Sequence, residues 1–189
     1  MKFLVYPFIF VLLSLNMLYS QPMVHGWAAR YSGPGTYDGV RARSVFVDHA
    51  GNSYTAGDFT GSMDADPGSG TNLLTAPQSD IYITKLDQNG QYHWTTQLNC
   101  TGISQCNAIS VDNNGDIYIT GSFRDTLDAD PGINSYNLIS YGHSDCFIIK
   151  LDINGQFVWG KSFGGLSGDE GVSMALDEQA VYVTGTFVD

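Results

Sequence analysis

The sequence predicts an all-β fold made of repeated units of four antiparallel strands, and three observations carry that prediction. The first is internal repetition. "GNSYTAGDF" (Gly51–Phe59) is echoed by "GDIYITGSF" (Gly115–Phe123), and "SDIYITKLDQNGQYHW" (Ser79–Trp94) by "SDCFIIKLDINGQFVW" (Ser144–Trp159). A single extra residue in the loop between these stretches accounts for the small change in spacing. Self-similarity of this kind marks repeat architectures. The second observation is a period of two: in "DIYITGS", Ile117 and Ile119 alternate with Tyr118 and Thr120, as a half-buried strand requires. The third is turn chemistry. "DQNGQ" and "DINGQ" place Asn-Gly between two apolar runs, and "DHAGN" and "DNNGD" repeat the idea at a second hairpin. Asn and Gly both tolerate positive φ, so a tight turn is expected at each. No helical stripe at i, i+3, i+4 appears after the first twenty residues.

Along the chain, residues 1–20 come first. Lys2 precedes "FLVYPFIFVLLSLNMLYS", which reads as a secretory signal peptide cut near Ser20. The run approaches membrane-spanning length, but Pro7 and Asn16 weaken a permanent helix. The chain is therefore expected to be secreted or at the cell surface, with no membrane span after signal cleavage. Residues 21–189 follow as the folded part. Full repeats are expected at about 48–111 and 112–176, with partial copies at 27–47 and 177–189. Within a unit, "DIYITGS" gives one strand. "DCFIIKL" is apolar on both faces, as a strand sandwiched between sheets should be. "GQFVWGKSF" gives a third, and "GVSMALD" closes the unit. Four strands per repeat describes a β-propeller blade, and about four to eight blades close a ring. The final "YVTGTFVD" stops where the next long loop should start, so the chain is expected to be a fragment of a longer protein. Several chains completing one ring is the alternative.

Composition narrows the partners. The 189-residue chain has a formal net charge of −11 at pH 7. That field repels phosphate backbones, so nucleic acid is excluded as a partner. Cys100 and Cys106 bracket "TGISQ", a loop that a disulfide could close in an oxidising compartment. Cys146 aligns with Ile81 and is expected to be a small buried residue. His25, His49, His93 and His143 fall at unmatched repeat positions and read as surface side chains. Lys85 and Lys150 recur on apolar strands, where Asp87, Asp152 or a solvated edge would receive them. Trp27, Trp94 and Trp159 occupy one repeat position, which favours packing between blades over sugar stacking.

The candidate site is the motif Asp-Ala-Asp-Pro-Gly, written twice inside a long connection. Asp64 and Asp66 in the first copy, and Asp128 and Asp130 in the second, are the candidate metal ligands. Ca²⁺ takes six to eight oxygens, and each pair of carboxylates offers up to four; backbone carbonyls of the same loop, or Asp58 and Asp125 nearby, could add more. The competing reading is turn chemistry: Asp-Pro-Gly is a good β-turn, and the first Asp can accept amide N–H groups. The EF-hand pattern is absent, as are Gly-x-Ser-x-Gly and zinc spacings. "FGGLSG" (Phe163–Gly168) has no helix after it to cradle a phosphate and reads as a loop.

Four motifs together resemble the bacterial seven-bladed β-propeller repeat called SBBP: Gly-x-x-Tyr-x-x-Gly-x-Phe, Asp-x-Asp-Pro-Gly, Ser-Asp-x-(Tyr/Phe)-x-x-Lys-Leu-Asp, and Asn-Gly-Gln-(Tyr/Phe)-x-Trp. The resemblance runs from about Trp27 to Asp189. It implies a secreted or cell-surface propeller, often followed in longer members by a C-terminal sorting domain, and supplies no catalytic residues. "DQNGQYHW" and "DINGQFVW" also faintly resemble the Asp-box of sialidases, which braces a hairpin there. The expected role is a non-catalytic scaffold or binding module. Its partners would be a protein or glycan ligand and the missing blades of the same longer chain. The alternative is a fragment of a propeller enzyme acting on glycans, a hydrolase or lyase.

Overall fold

A computed structural model describes residues 27–31 and 39–188. The signal-peptide reading of residues 1–20, and His25, lie outside the described residues. The described chain is all strand and turn. Among the described residues, no helix is long and apolar enough to cross a membrane.

The first sheet holds β1 (Gly39–Val47), β2 (Ser53–Asp64), β3 (Leu73–Leu86) and β4 (Tyr92–Leu98) in the order β1-β2-β3-β4, antiparallel throughout. The second begins with β5 (Ser104–Val111) and β6 (Ile117–Phe123). A short ribbon of β7 (Thr126–Asp128) and β8 (Asn137–Ile139) interrupts it. It then resumes with β9 (Asp145–Leu151) and β10 (Phe157–Phe163), giving the order β10-β9-β6-β5. A third sheet starts with β11 (Glu170–Leu176) paired to β12 (Val181–Thr186). These are the expected four-stranded blades. Their boundaries fall one strand away from the sequence units. "GVSMALD", read as closing a unit, is β11 and opens the next sheet. A repeat in sequence has no intrinsic start, and the short turn after "GVSMALD" pairs it with the strand that follows.

Strand alternation decides which side chains meet between blades. Ile81 and Ile83 of β3 point toward the second sheet, where they join Phe147 and Ile149 of β9 in one buried cluster with Leu98, Ile117 and Ile119. Tyr82 points the other way, into a smaller cluster with Phe59, Met63 and Ala65, against which Tyr31 and Val40 pack. β3 is therefore buried on both faces from Asp80 to Thr84, as its unbroken apolar run predicts. Cys146, opposite in sense to Phe147, is buried like its counterpart Ile81. The opening strands β1, β5 and β11 lie side by side in that order. Each has a bulge at the same place: between Ala42 and Ser44, between Cys106 and Ala108, and between Gly171 and Ser173. The bulges re-aim one side chain per blade. Arg43 turns onto buried Asp58, and Asn107 reaches across to Glu170 and to the carbonyl of Gly171.

The hairpin turns carry their Gly as expected, but not by the expected route. Gly51, Gly90, Gly115 and Gly155 have positive φ, while the residues before them, Ala50, Asn89, Asn114 and Asn154, do not. In each turn the Gly amide donates to the carbonyl of the leading Asp, and the Asp amide donates to the residue after the Gly. This is a type I turn closed by a glycine bulge, not a two-residue Asn-Gly turn. The third copy, with Ala180 and no Gly, closes one residue earlier: Asp177 N donates to Ala180 O at 3.1 Å.

Candidate functional site

The long connection that carries Asp-Ala-Asp-Pro-Gly is a hairpin arm, not an open loop. In the first blade β2 and β3 run on past a bulge at Gly61, φ 76°, and stay paired to Asp64 and Leu73. In the second blade the arm is the β7–β8 ribbon, entered through Asp125 at φ 61°. The apolar residues within the motif point inward: Met63, Ala65, Leu127 and Ala129 are fully buried. The second arm also bonds to the previous blade. Asp128 N donates to Asn99 O and Thr101 N to Thr126 O, each at 2.9 Å. Tyr136 stacks on Phe157 with ring centroids 4.6 Å apart. The arm is thus a clamp across the blade junction.

The four candidate ligands sit at the arm tips and act as turn braces. Asp64 Oδ1 accepts the amides of Asp66 (3.1 Å) and Asn72 (2.9 Å), and Asp66 Oδ1 accepts that of Gly68 (2.8 Å). Asp128 Oδ1 accepts the amides of Asp130 (3.1 Å) and Tyr136 (2.9 Å), and Asp130 Oδ1 that of Gly132 (2.8 Å). The two arms match bond for bond. Nested Asx-turns around a buried Ala account for the motif on their own. Among the described residues, no group of three or more His, Cys, Asp or Glu side chains is placed to hold a metal ion.

The tryptophans obey one rule from blade to blade. Trp94 lies against Gly155 at the β9–β10 turn of the next blade, where an added Cβ would stand 3.2 Å from its ring. Thr96 Oγ1 donates to Gly155 O at 3.3 Å beside it. Trp27 stands in the same way over Gly90 of the first blade's turn, and its indole N–H donates to Gln88 O at 3.2 Å. Packing on a neighbouring turn is therefore the role of Trp27 and Trp94, as the repeated position predicts.

Other expectations need correction. Cys100 and Cys106 are not joined; both are free and buried in the interblade core. Lys150 pairs with Asp116 at 2.7 Å, not with Asp152, and its ammonium lies over the Tyr118 ring. Lys85 lies likewise over Tyr54. A Tyr two residues after the turn supplies the face in both blades, a cation–π contact that the Lys/Tyr repeat could have revealed. His49, His93 and His143 are exposed, as expected, and His143 Nε2 lies 2.7 Å from an Arg124 guanidinium nitrogen. Asp80, Asp145 and Asp169 are buried acids that no sequence motif singles out as site residues, and Asp58, expected only as an extra oxygen donor near the first arm, is buried too. Asp58 is met by Arg41 and Arg43. Asp80 accepts Cys100 N at 2.8 Å and the Gln97 amide at 2.6 Å, and burial raises its pKa despite both bonds.

Residues 93–122 match the family profile described as the β-propeller repeat, SBBP. That stretch crosses from β4 through β5 to β6, joining the last strand of one blade to the first two of the next. The chain is also similar to an uncharacterised WD repeat-containing protein of Acanthamoeba polyphaga mimivirus, with 26% identity over 165 residues. The alignment takes in 76% of this chain and 12% of that protein, so the chain spans a small part of its relative's length.

Proposed function

From a chain that carries the SBBP β-propeller repeat, we propose a non-catalytic binding module, secreted or displayed at the cell surface, whose blades are scaffold and whose arms make the contacts. One observation carries this reading. The second arm is anchored on its inner side by Leu127 and Ala129, both 0% exposed, while Ile133, Ile139 and Tyr141 on its outer side are 103%, 69% and 70% exposed. Apolar side chains held out on a fixed support are what a docking surface needs. Two of the three are aliphatic, and the nearby Tyr136 ring is already stacked on Phe157, so a protein surface suits the patch better than a glycan. A second set of partners is further blades of the same longer chain, stacked as the second blade stacks on the first. Stiffening of the arm tips by Ca²⁺ has less behind it, because amide groups already occupy one oxygen of each Asp there.

The test is binding of the full chain to panels of extracellular proteins and polysaccharides, beside Ile133→Asp/Tyr141→Asp. Specific binding to a protein that falls at least about tenfold in the double variant, with an unchanged melting midpoint, supports the proposal. Turnover of a polysaccharide, or binding indifferent to the double variant, overturns it.

A further inference from the structure

The junction between the second and third blades differs from the one before it in a way that points to a cation. At the first junction, Asp80 has both carboxylate oxygens bonded, and the opening residue of the next blade is Ser104, whose hydroxyl donates to Ser79 O. At the second junction the matching residues are Asp145 and Asp169, so a second carboxylate replaces the serine. Asp145 is 4% exposed and Asp169 2% exposed. Gln97, which satisfies Asp80, is replaced by Ser162, and Cys100 by Gly165. The Gly165 amide turns to Asp169 Oδ2 at 2.8 Å and leaves Asp145. Asp145 Oδ2 keeps the Tyr141 amide at 3.1 Å, while its Oδ1 is buried with no hydrogen-bond partner.

That orphan oxygen and the second carboxylate both lie beside Gly164. A Cβ built on Gly164 would lie 2.5 Å from Asp145 Oδ1 and 2.7 Å from Asp169 Oδ2. The two oxygens are therefore within about 5 Å of each other, the span across which one hard cation bridges two carboxylates. Among the described residues no Lys or Arg forms an ion pair with either acid; the pairs there are Arg41 and Arg43 with Asp58, and Lys150 with Asp116. Asp169 has amide donors on both oxygens, Gly165 on Oδ2 and Val188 on Oδ1 at 2.8 Å, but two buried like charges with no counter-charge beside them remain unfavourable. Gly164, beside the pair, is exposed.

We propose that Asp145 and Asp169 hold a divalent cation of the Ca²⁺ class at the junction of the second and third blades. The two carboxylates supply the charge. Among the described residues no third His, Cys, Asp or Glu joins them, so backbone carbonyls and water complete the shell, a ligand set that suits Ca²⁺ and not zinc. The ion ties the loop after β10 to the first strand of the next blade.

The full chain is titrated with Tb³⁺, a luminescent stand-in for Ca²⁺, and melted with about 1 mM Ca²⁺ or with chelator, a concentration suited to an extracellular site. Expected are one bound ion per chain, displaced by Ca²⁺, and a higher midpoint with Ca²⁺. Both effects should vanish in Asp169→Ser, which restores the residue the first junction uses and so should fold, and in Asp145→Asn. Both should persist in Asp66→Asn/Asp130→Asn. The proposal is overturned if no ion binds, if binding survives Asp169→Ser, or if it is lost from the arm-tip variant instead.

Discussion

Gly155 shows how much a single residue can hold in this chain. Its φ of 76° is open to glycine and strained for other residues, and the Trp94 ring lies where a side chain would start. Gly155→Ala is expected to lower stability by about 1–2 kcal/mol through backbone strain, and more where the ring cannot yield. Trp94→Ala should lower it by about 2–4 kcal/mol, since a large aromatic is lost from the junction. Thermal or urea unfolding of each variant checks both values, and midpoints equal to wild type would refute the interblade role of this pair. The cysteines give a chemical prediction at the same scale. Burial raises the pKa of all three thiols, and the thiolate is the reactive form. Native protein should therefore label very slowly with a thiol reagent at pH 8, and denatured protein should release three reactive groups. Fewer than three after denaturation without reductant would mean that the Cys100–Cys106 bridge the spacing permits does form. Spacing alone could not decide it, because five intervening residues permit a bridge without saying which way each side chain points.

Each element is a hairpin whose leading Asp organises the turn. Asp48 accepts the amides of Ala50 and Asn52, the Asn52 side chain and the Tyr54 hydroxyl. Desolvation acts to raise its pKa, but the hydrogen bonds from Asn52, Ala50 and Tyr54 outweigh it and the pKa is lowered. Asp87, held chiefly by the Gln91 amide, and Asp177, held chiefly by that of Gln179, are lowered too. An acid whose folded pKa lies below its unfolded value, about 4, stabilises the fold above that value and loses the contribution as pH falls through the folded pKa. Stability should therefore decline from about pH 4 downward, and Asp48→Asn/Asp87→Asn should flatten that decline while lowering stability at pH 7. Melting midpoints across pH 2–7 measure it; parallel curves for variant and wild type would exclude these acids as the cause. The arms invite a matching test. Asp128→Ala removes the acceptor for two amides and should cost about 1–2 kcal/mol with or without Ca²⁺. This is where the sequence was most and least readable. The Asp-x-x-Gly turns and the alternation in "DIYITGS" could be read directly, because local geometry dictates both. The sequence points to a long loop at the arms because Pro67-Gly68 and Pro131-Gly132 are strong turn signals. Yet Met63-x-Ala65 and Leu127-x-Ala129 already carry the period of two that marks a strand. The Asp145–Asp169 pair left no local trace, since the two acids lie on different blades and only stacking brings them together.

For the whole molecule, the stabilising unit is the junction between blades, and the same position has two fates in one chain. Leu98 on β4 is 0% exposed because the second blade stands on it, whereas Phe163, its counterpart on β10, is 49% exposed. Ile83 is fully buried and Ile148, its counterpart, only partly so. Trp94 has the Gly155 turn beneath it. Trp159 instead borders an open cleft with Lys161, Phe163 and Asp177, where β11 and β12 cover only part of the face. Burying a Leu or Phe side chain contributes about 1.5–3 kcal/mol, so identical truncations should have unequal effects. Leu98→Ala is expected to cost about 2–5 kcal/mol, and Phe163→Ala under about 1 kcal/mol. The exposed face has a second consequence. Among the described residues β12 has a free strand edge, in the cleft that Trp159 and Phe163 line, and such an edge invites another chain. At rising concentration the chain should self-associate, and Phe163→Lys should suppress that association while leaving the melting midpoint nearly unchanged. Sedimentation velocity of wild type and Phe163→Lys over a concentration series decides the point. Equal costs for the two truncations, or self-association that Phe163→Lys leaves intact, would mean that stacking is not what holds these blades, and the equivalence of the two junctions would have to be abandoned.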